Sequence, residues 1–157
     1  PRAHRRRGAG AGHSGPEVME CVKAGDGSEC RRPGRGRLGK GLEDVQGILG
    51  FMVAELVKAD PTRGGDPTNL YKVGQNTSRL LLGAGDLVVG WLLLRQAEVA
   101  KAALGAGTAS VKDQRFYEGK IAAASFFART VLPKIAAERQ IAEATDNSLM
   151  DVSEDAF

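Results

Sequence analysis

One stretch, residues 69–104, limits what this chain can fold into more than any other. Apolar residues recur there in steps of three and four, the period of a long amphipathic helix. Asp66 followed by Pro67 favours a helix start, and Gly105 and Gly107 favour a stop. About 38 residues at about 1.5 Å each give a helix of roughly 57 Å. Such a helix needs at least two neighbours to cover its apolar stripe, so the sequence predicts a helical bundle around it.

A membrane-spanning helix is the alternative for this stretch, because residues 80–94 (LLLGAGDLVVGWLLL) are very apolar. A spanning helix needs about 20 residues with few charges. This run is shorter, has Arg79 and Arg95 at its two ends, and carries Asp86 at its centre. We therefore interpret it as a buried core helix.

Two further segments have the helical period, and short loops join them to the long helix. The first is expected to run from about Gly41 to Asp60, and the other from Ser110 or Lys112 to about Thr145, with a kink at Pro133. The first segment has a strict seam of apolar residues: Leu42, Val45, Leu49, Met52, Leu56 and Ala59. We predict an all-α fold, an antiparallel bundle of about three helices, two of them long.

Four glycines interrupt the long helix, and each costs about 1 kcal/mol relative to alanine in a helix interior. They are Gly74, Gly83, Gly85 and Gly90. Gly83 and Gly90 lie one heptad apart on the same side, so they could let a neighbouring helix approach closely. The alternative is that the glycines only loosen or kink the helix.

Residues 1–40 differ from the rest of the chain because they are rich in Gly and Arg and lack apolar periodicity. Residues 1–41 carry a net charge of +6, whereas the remaining residues carry −3. Such a segment cannot bury enough surface to offset its ordering entropy, so we expect it to be disordered. Its Arg runs could bind nucleic acid, but no aromatic residue is interleaved to stack on a base. Its His and Cys residues are too widely spaced to pre-organise a zinc site, so we interpret the two cysteines as free thiols. These residues are His4, His13, Cys21 and Cys30.

Residues 42–157 contain no sequence motif for catalysis, for a cofactor or for a metal, and both His residues lie outside them. Glu118, Glu138 and Glu143 fit a solvated helix face. Asp86 is expected to pair with Arg79, with Arg129 or with an Arg of a partner subunit. We therefore predict no catalytic, cofactor-binding or metal-binding residue. No signal peptide is visible, which makes the cytoplasm the simplest location.

Three long segments resemble one known family. Residues 71–100 (YKVGQNTSRLLLGAGDLVVGWLLLRQAEVA), residues 116–143 (FYEGKIAAASFFARTVLPKIAAERQIAE) and the closing LMDVSEDAF are similar to the extra C-terminal helical domain of large bacterial acyl-CoA dehydrogenases. The resemblance covers roughly residues 40–157, and residues 1–39 match nothing recognisable in the family. We therefore place a domain boundary near residue 40 and interpret residues 1–40 as an unrelated extension or an out-of-frame translation.

The resemblance implies the C-terminal domain of an FAD-dependent enzyme that removes two hydrogens across the α and β carbons of an acyl-CoA thioester. In that family the base, the flavin contacts and the CoA channel lie mostly upstream, so this part is expected to be inactive alone and to bind no FAD. The implied partners are the rest of the enzyme and neighbouring subunits. Apolar surface should be exposed on such a part, including Leu149, Met150 and Phe157 of the acidic tail, and should cause self-association. The alternative is a stand-alone helical interaction module whose basic tail binds acidic or nucleic-acid partners.

Overall fold

The computed structural model describes the backbone of residues 27–156 and the side chains of residues 34–156. In this part of the chain every regular element is helical, which confirms the all-α class and the bundle of about three helices. The third predicted helix is divided into two, α3 and α4. The α-helices are α1 (Gly27–Lys58), α2 (Leu70–Gly105), α3 (Val111–Thr130) and α4 (Lys134–Glu143), with 3-10 turns at Pro61–Arg63, Pro67–Asn69 and Glu154–Ala156.

Helix α1 begins earlier than predicted. We expected a start at Gly41 after a disordered segment, but the helix already includes residues 27–40. Contacts with distant residues account for the difference. A Cβ at Gly34 would lie 2.9 Å from Leu94 Cδ2, so the glycine allows α1 to lie close to α2. Leu38 packs against a cluster built from α3 and α4. A local pattern does not reveal contacts of this kind.

The predicted apolar seam of α1 is wrong for half of its residues. Leu42, Leu49 and Leu56 are about half exposed, whereas Met52 and Ala59 are buried as expected. The inward side of α1 is a different and partly charged row: Gly41, Asp44, Ile48, Met52, Glu55 and Ala59. The sequence contains two apolar stripes on this helix, and the one with more leucines faces outward.

Helix α2 ends at Gly105 as predicted, but it begins at Leu70, after a 3-10 turn, and not directly at Pro67. Asp66 caps the short turn Pro67–Asn69 that leads into α2, and its carboxylate accepts a hydrogen bond from the Thr68 backbone N–H at 2.9 Å. This bond, together with one from the Thr68 side chain, lowers the pKa of Asp66. At the other end α2 stops at Gly105, and Gly107 has a φ of 68°. The predicted cap at Asp66 is therefore correct for the turn that leads into α2, whereas Asn69 at the start of α2 itself makes no side-chain capping hydrogen bond.

Gly83 and Gly90 confirm the prediction of close helix approach. Both are buried in α2. A Cβ at Gly90 would lie 2.9 Å from Leu132 Cδ2, and a Cβ at Gly83 would contact Ile135 Cγ2 at 3.7 Å. Gly74 and Gly85, in contrast, have open space where a side chain would be. The glycines thus mark both the packed and the open side of α2.

Pro133 ends a helix, and the predicted kink inside one continuous helix is wrong. Helix α3 stops at Thr130, and α4 begins at Lys134. Pro133 has no N–H to donate to the Arg129 carbonyl, and its ring also disfavours helical geometry at Leu132. The chain makes a turn there, with the Lys134 N–H donating to the Val131 carbonyl at 2.9 Å. The turn orients Leu132 into the core, where it is 2% exposed.

The core of the described bundle is small. One cluster of buried residues contains Ile48, Met52 and Ala142, and a second contains Ala128, Leu132 and Ile135. Contacts between α1 and α2 run in opposite order along the two helices: Arg35 meets Glu98, Gly41 lies near Leu87, and Glu55 meets Lys72. This reversed order is the one expected for antiparallel neighbours.

The C-terminal segment returns to the beginning of α2. Asn76 is fully buried, and its side-chain amide donates to the Lys72 carbonyl at 2.9 Å and to Thr145 Oγ1 at 3.1 Å. Leu149 and Met150 are exposed, as expected for residues available for docking, while Phe157 lies outside the described residues. The tail is thus held at the end of the bundle where α2 begins.

Candidate interaction surface

The outward side of α1 is apolar. We call it the α1 face: Leu42, Leu49, Val53, Leu56 and Val57, each about half exposed. Between residues 45 and 57 the only charged residue is Glu55, which is buried. The exposed positions of this stretch therefore carry no charge, which is unusual for a helix that faces water.

The inward side of α1 holds two buried carboxylates. Glu55, whose side chain is 4% exposed, pairs with Lys58 Nζ at 2.5 Å and with Lys72 Nζ at 3.0 Å. Burial works against the charged form of Glu55, but hydrogen bonds from both lysines outweigh it and lower its pKa. Asp44 is equally buried and pairs with Lys40 at 2.9 Å and with Arg139 at 3.4 Å.

Sequence reasoning did not identify these two carboxylates as parts of the core. The signal that could have found them is their spacing, since Asp44, Ile48 and Glu55 fall on one side of the helix. Their cationic partners Lys72 and Arg139 come from α2 and α4, so the pairing depends on the tertiary fold.

An open groove continues the α1 face beyond the end of α1. It has a volume of about 540 Å³ and lies between the end of α1 and the beginning of α2. Its walls include Leu56 and Val57 of the α1 face, Pro61 and Pro67 of the connecting turns, and Leu70 of α2. A second groove shares Leu70 and is lined also by Met150 of the tail. Asp60 and Arg63 also line the first groove, but the lining is mainly apolar and is suited to the side chains of a protein partner.

Helix α2 also has an apolar outward side, which we call the α2 face: Leu81, Leu82, Val88, Val89, Trp91 and Leu92. Within the described residues, one stretch, Pro67–Gly105, passes a length and hydropathy test for a membrane span, which is weak evidence by itself. Only 11% of its most apolar window is buried. The expectation of a buried core helix is therefore wrong for this chain taken alone.

Asp86 has no hydrogen bond or ion pair with any described residue, so the expected pair within this chain is not formed. Arg79 instead pairs with Glu138 at 2.5 Å, and the Arg129 side chain donates to the Ser125 carbonyl at 3.3 Å. Asp86 is half-buried at the border of the α2 face. The pairing with an Arg of a partner subunit stays a prediction.

No metal-binding constellation is formed by the described residues. No group of three or more His, Cys, Asp or Glu residues there could hold a metal ion. Glu138 and Glu143 are used in ion pairs with Arg79 and Arg139. His4, His13 and Cys21 lie outside the described residues, as does the side chain of Cys30.

The described residues form a helical bundle with a small core and two apolar faces that no described residue covers. The chain belongs to the family described as "Acetyl-CoA dehydrogenase C-terminal like", whose sequence model matches residues 17–153. This confirms the resemblance to acyl-CoA dehydrogenases.

Two curated relatives support the family. Over 153 residues the chain is 42% identical to the broad-specificity linear acyl-CoA dehydrogenase FadE5 of Mycobacterium tuberculosis. This alignment covers 98% of the chain but 24% of the relative. Over 80 residues it is 34% identical to a butyryl-CoA dehydrogenase of Syntrophomonas wolfei, covering 51% of the chain and 13% of that enzyme. The chain therefore spans about a quarter of the length of FadE5.

The family match begins further upstream than the resemblance suggested. We expected residues 1–39 to match nothing in the family, and this is wrong, because the family model matches from residue 17 and the alignment with FadE5 covers 98% of the chain. The matched part includes the first turns of α1, which also begin upstream of residue 40. The hypothesis of out-of-frame translation is therefore wrong for residues 17–40 and stays a prediction only for residues upstream of 17.

Proposed function

We propose that this chain is the C-terminal packing and oligomerisation domain of an FAD-dependent acyl-CoA dehydrogenase, and that it is inactive without the rest of that enzyme. The observation that carries the proposal is the pair of apolar faces on α1 and α2, which no described residue covers. The chain corresponds to about a quarter of FadE5. In an enzyme of that kind, the other three quarters are available to pack against these faces.

The reaction proposed for the whole enzyme removes hydrogens from the α and β carbons of an acyl-CoA thioester, with FAD as the hydride acceptor. The two grooves described above are open and mainly apolar in their lining, which supports a flavin site elsewhere in the enzyme. We therefore place FAD, the catalytic base and the acyl-CoA channel in the part of the enzyme that this chain does not include. The role of this chain is to cover and hold that part.

The proposed partners are the catalytic part of the enzyme and neighbouring subunits, and the proposed location is the cytoplasm. Asp86 within the α2 stretch, with Arg79 and Arg95 at its ends, supports a protein interface there more than a membrane span. The alternative, a stand-alone module with a basic tail, rests on the Arg-rich residues upstream of Gly34. Binding of the isolated chain to DNA or RNA that weakens with salt would favour it.

A domain replacement tests the proposal. Full-length FadE5 is made with residues 17–153 of this chain in place of its own matching part, and it is compared with FadE5 that simply lacks that part. We expect the chimera to retain FAD and to oxidise a linear acyl-CoA, and the shortened enzyme to lose flavin faster. The proposal is wrong if the isolated chain binds FAD and oxidises acyl-CoA, or if the chimera retains no more flavin than the shortened enzyme.

A further inference from the structure

The α1 face is apolar although no other part of the described bundle packs against it. Its outward residues between 45 and 57 form a surface without charge that is about 20 Å long at 1.5 Å per residue. The carboxylate of Glu55, the one charged group in this stretch, is directed inward and neutralised by two lysines. Water therefore meets only uncharged groups along this part of α1.

The orientation of α1 is fixed by its charges. Rotating the helix to bury Leu49 and Leu56 would expose Ile48 and Met52. It would also separate Asp44 from Arg139 and Glu55 from Lys72, the cations that other helices supply. Removing one partner of a buried ion pair is strongly unfavourable, so this rotation is not an available alternative. The α1 face can thus be buried only by something outside the described bundle.

The groove at the end of α1 lies next to the α1 face and can receive side chains of a partner. Leu56 and Val57 belong both to the α1 face and to the wall of the groove, which Leu70 closes on the other side. An apolar helix face followed by a groove is the form expected where a partner helix packs on α1 and its apolar side chains enter the groove.

We propose that the α1 face is the surface by which this domain docks on the catalytic part of its own enzyme, an inference that rests on the proposed function. The family match starts at residue 17, and α1 is the first helix of the described chain. The family's description places this domain at the C-terminal end, so the other three quarters of a FadE5-like chain come before it. Helix α1 is then the element nearest to the catalytic part along the chain.

The test uses the FadE5 chimera, with a specific protease site inserted before residue 17. After cleavage, co-elution in size-exclusion chromatography measures whether the domain stays bound to the catalytic part. The test variant is Val53→Gln with Val57→Gln, and the control variant is Val99→Gln with Val111→Gln. All four valines are at least half exposed, so both variants make the same chemical change on the surface of a helix.

We expect the unsubstituted domain to stay bound, the Val53 and Val57 variant to raise the dissociation constant about tenfold or more, and the control variant to change it less than about twofold. Circular dichroism of the isolated chains shows whether each variant folds. If the test variant does not fold, Leu49→Gln replaces it under the same tenfold criterion.

The possible outcomes distinguish a failure of the inference from a failure of the proposed function. If the unsubstituted domain leaves the catalytic part at once after cleavage, the packing role itself is wrong. If it stays bound and the α1 variant binds within about twofold of it, the inference is overturned and the packing role stands. If the α1 variant weakens only the association of isolated chains with each other, the face is an interface between copies, and the inference is likewise overturned.

Discussion

Alanine substitutions at the glycines of α2 test the packing of the bundle most sharply. Each Gly→Ala change in a helix interior should stabilise the helix by about 1 kcal/mol through backbone propensity alone. The three positions Gly83, Gly85 and Gly90 lie within two turns of one helix, so this gain is nearly the same for all of them. Differences in the measured free energy of unfolding therefore report the surroundings of each new methyl group.

The structure gives a different surrounding for each methyl group. At Gly85 no atom lies within 4 Å, so the full gain of about 1 kcal/mol is expected. At Gly83 the methyl group would contact Ile135 at 3.7 Å and Val45 at 3.8 Å, which are ordinary contacts that leave the gain intact or slightly increase it.

Gly90→Ala should have the opposite sign. Its methyl group would lie 2.9 Å from Leu132 Cδ2, and Leu132 is 2% exposed within a packed cluster. Overpacking of this kind costs about 1 to 3 kcal/mol, so the net effect is expected to range from neutral to about 2 kcal/mol destabilising. Compared with Gly85→Ala, the variant should be less stable by about 1 to 3 kcal/mol.

Urea unfolding followed by circular dichroism at 222 nm measures these differences. It should be repeated at several protein concentrations, because association of exposed apolar faces would add to the apparent stability. The packing described for α2 and Leu132 would be refuted if Gly90→Ala stabilised the chain as much as Gly85→Ala does.

Two further predictions concern an ion pair and a helix cap. Lys72→Met leaves the buried Glu55 with only the exposed Lys58, and should lower the free energy of unfolding by about 1 to 2 kcal/mol at pH 7, less than for a pair lost entirely. Because the pKa of Glu55 is lowered in the folded chain, its stabilising contribution is present above its ordinary pKa of 4.5 and is lost as the pH falls through the folded value. The gap between wild type and Lys72→Met should therefore shrink in urea titrations below pH 4.5, and a constant gap would contradict the pairing. Ser110→Ala removes the side-chain acceptor for the Asp113 backbone N–H at the start of α3 and should cost about 1 kcal/mol, whereas Ser110→Asp should restore most of it in the same assay.

The parts of the fold that depend on local chemistry could be predicted from the sequence. The cap at Asp66 and the stop at Gly105 involve only neighbouring residues, and both lie where the pattern placed them. The same holds for the packing role of Gly83 and Gly90, since their spacing alone puts them on one side of α2. The resemblance to acyl-CoA dehydrogenases came from long patterned segments and was confirmed.

The parts that depend on distant residues could not be predicted. Helix α1 has two apolar stripes, and cations from α2 and α4 decide that the side with Asp44 and Glu55 faces inward. The start of α1 depends on contacts with α2, such as the one between Gly34 and Leu94. Whether Pro133 produces a kink or a separate turn likewise depends on how Leu132 packs in the tertiary structure.

The candidate interaction surface was also only partly predictable from the sequence. An apolar run in α2 is visible in the sequence, but whether it is buried or exposed depends on how much of the protein surrounds it. In the described chain Leu81 and Leu82 are among the most exposed apolar residues. The sequence alone favoured a buried core helix because it could not show how many neighbours this helix has in this chain.

The most direct test of the account is the sequence of the DNA upstream of the codon for Pro1, translated in all three frames. The account predicts a reading frame that continues upstream into a chain similar to the remaining three quarters of FadE5, with a flavin site and a catalytic Glu. If that frame differs from the one encoding residues 1–16, part of this segment is out of frame and the enzyme assignment still stands. An in-frame stop codon followed by a start codon close to Pro1, with no flavoenzyme sequence in any frame, would contradict the central claim.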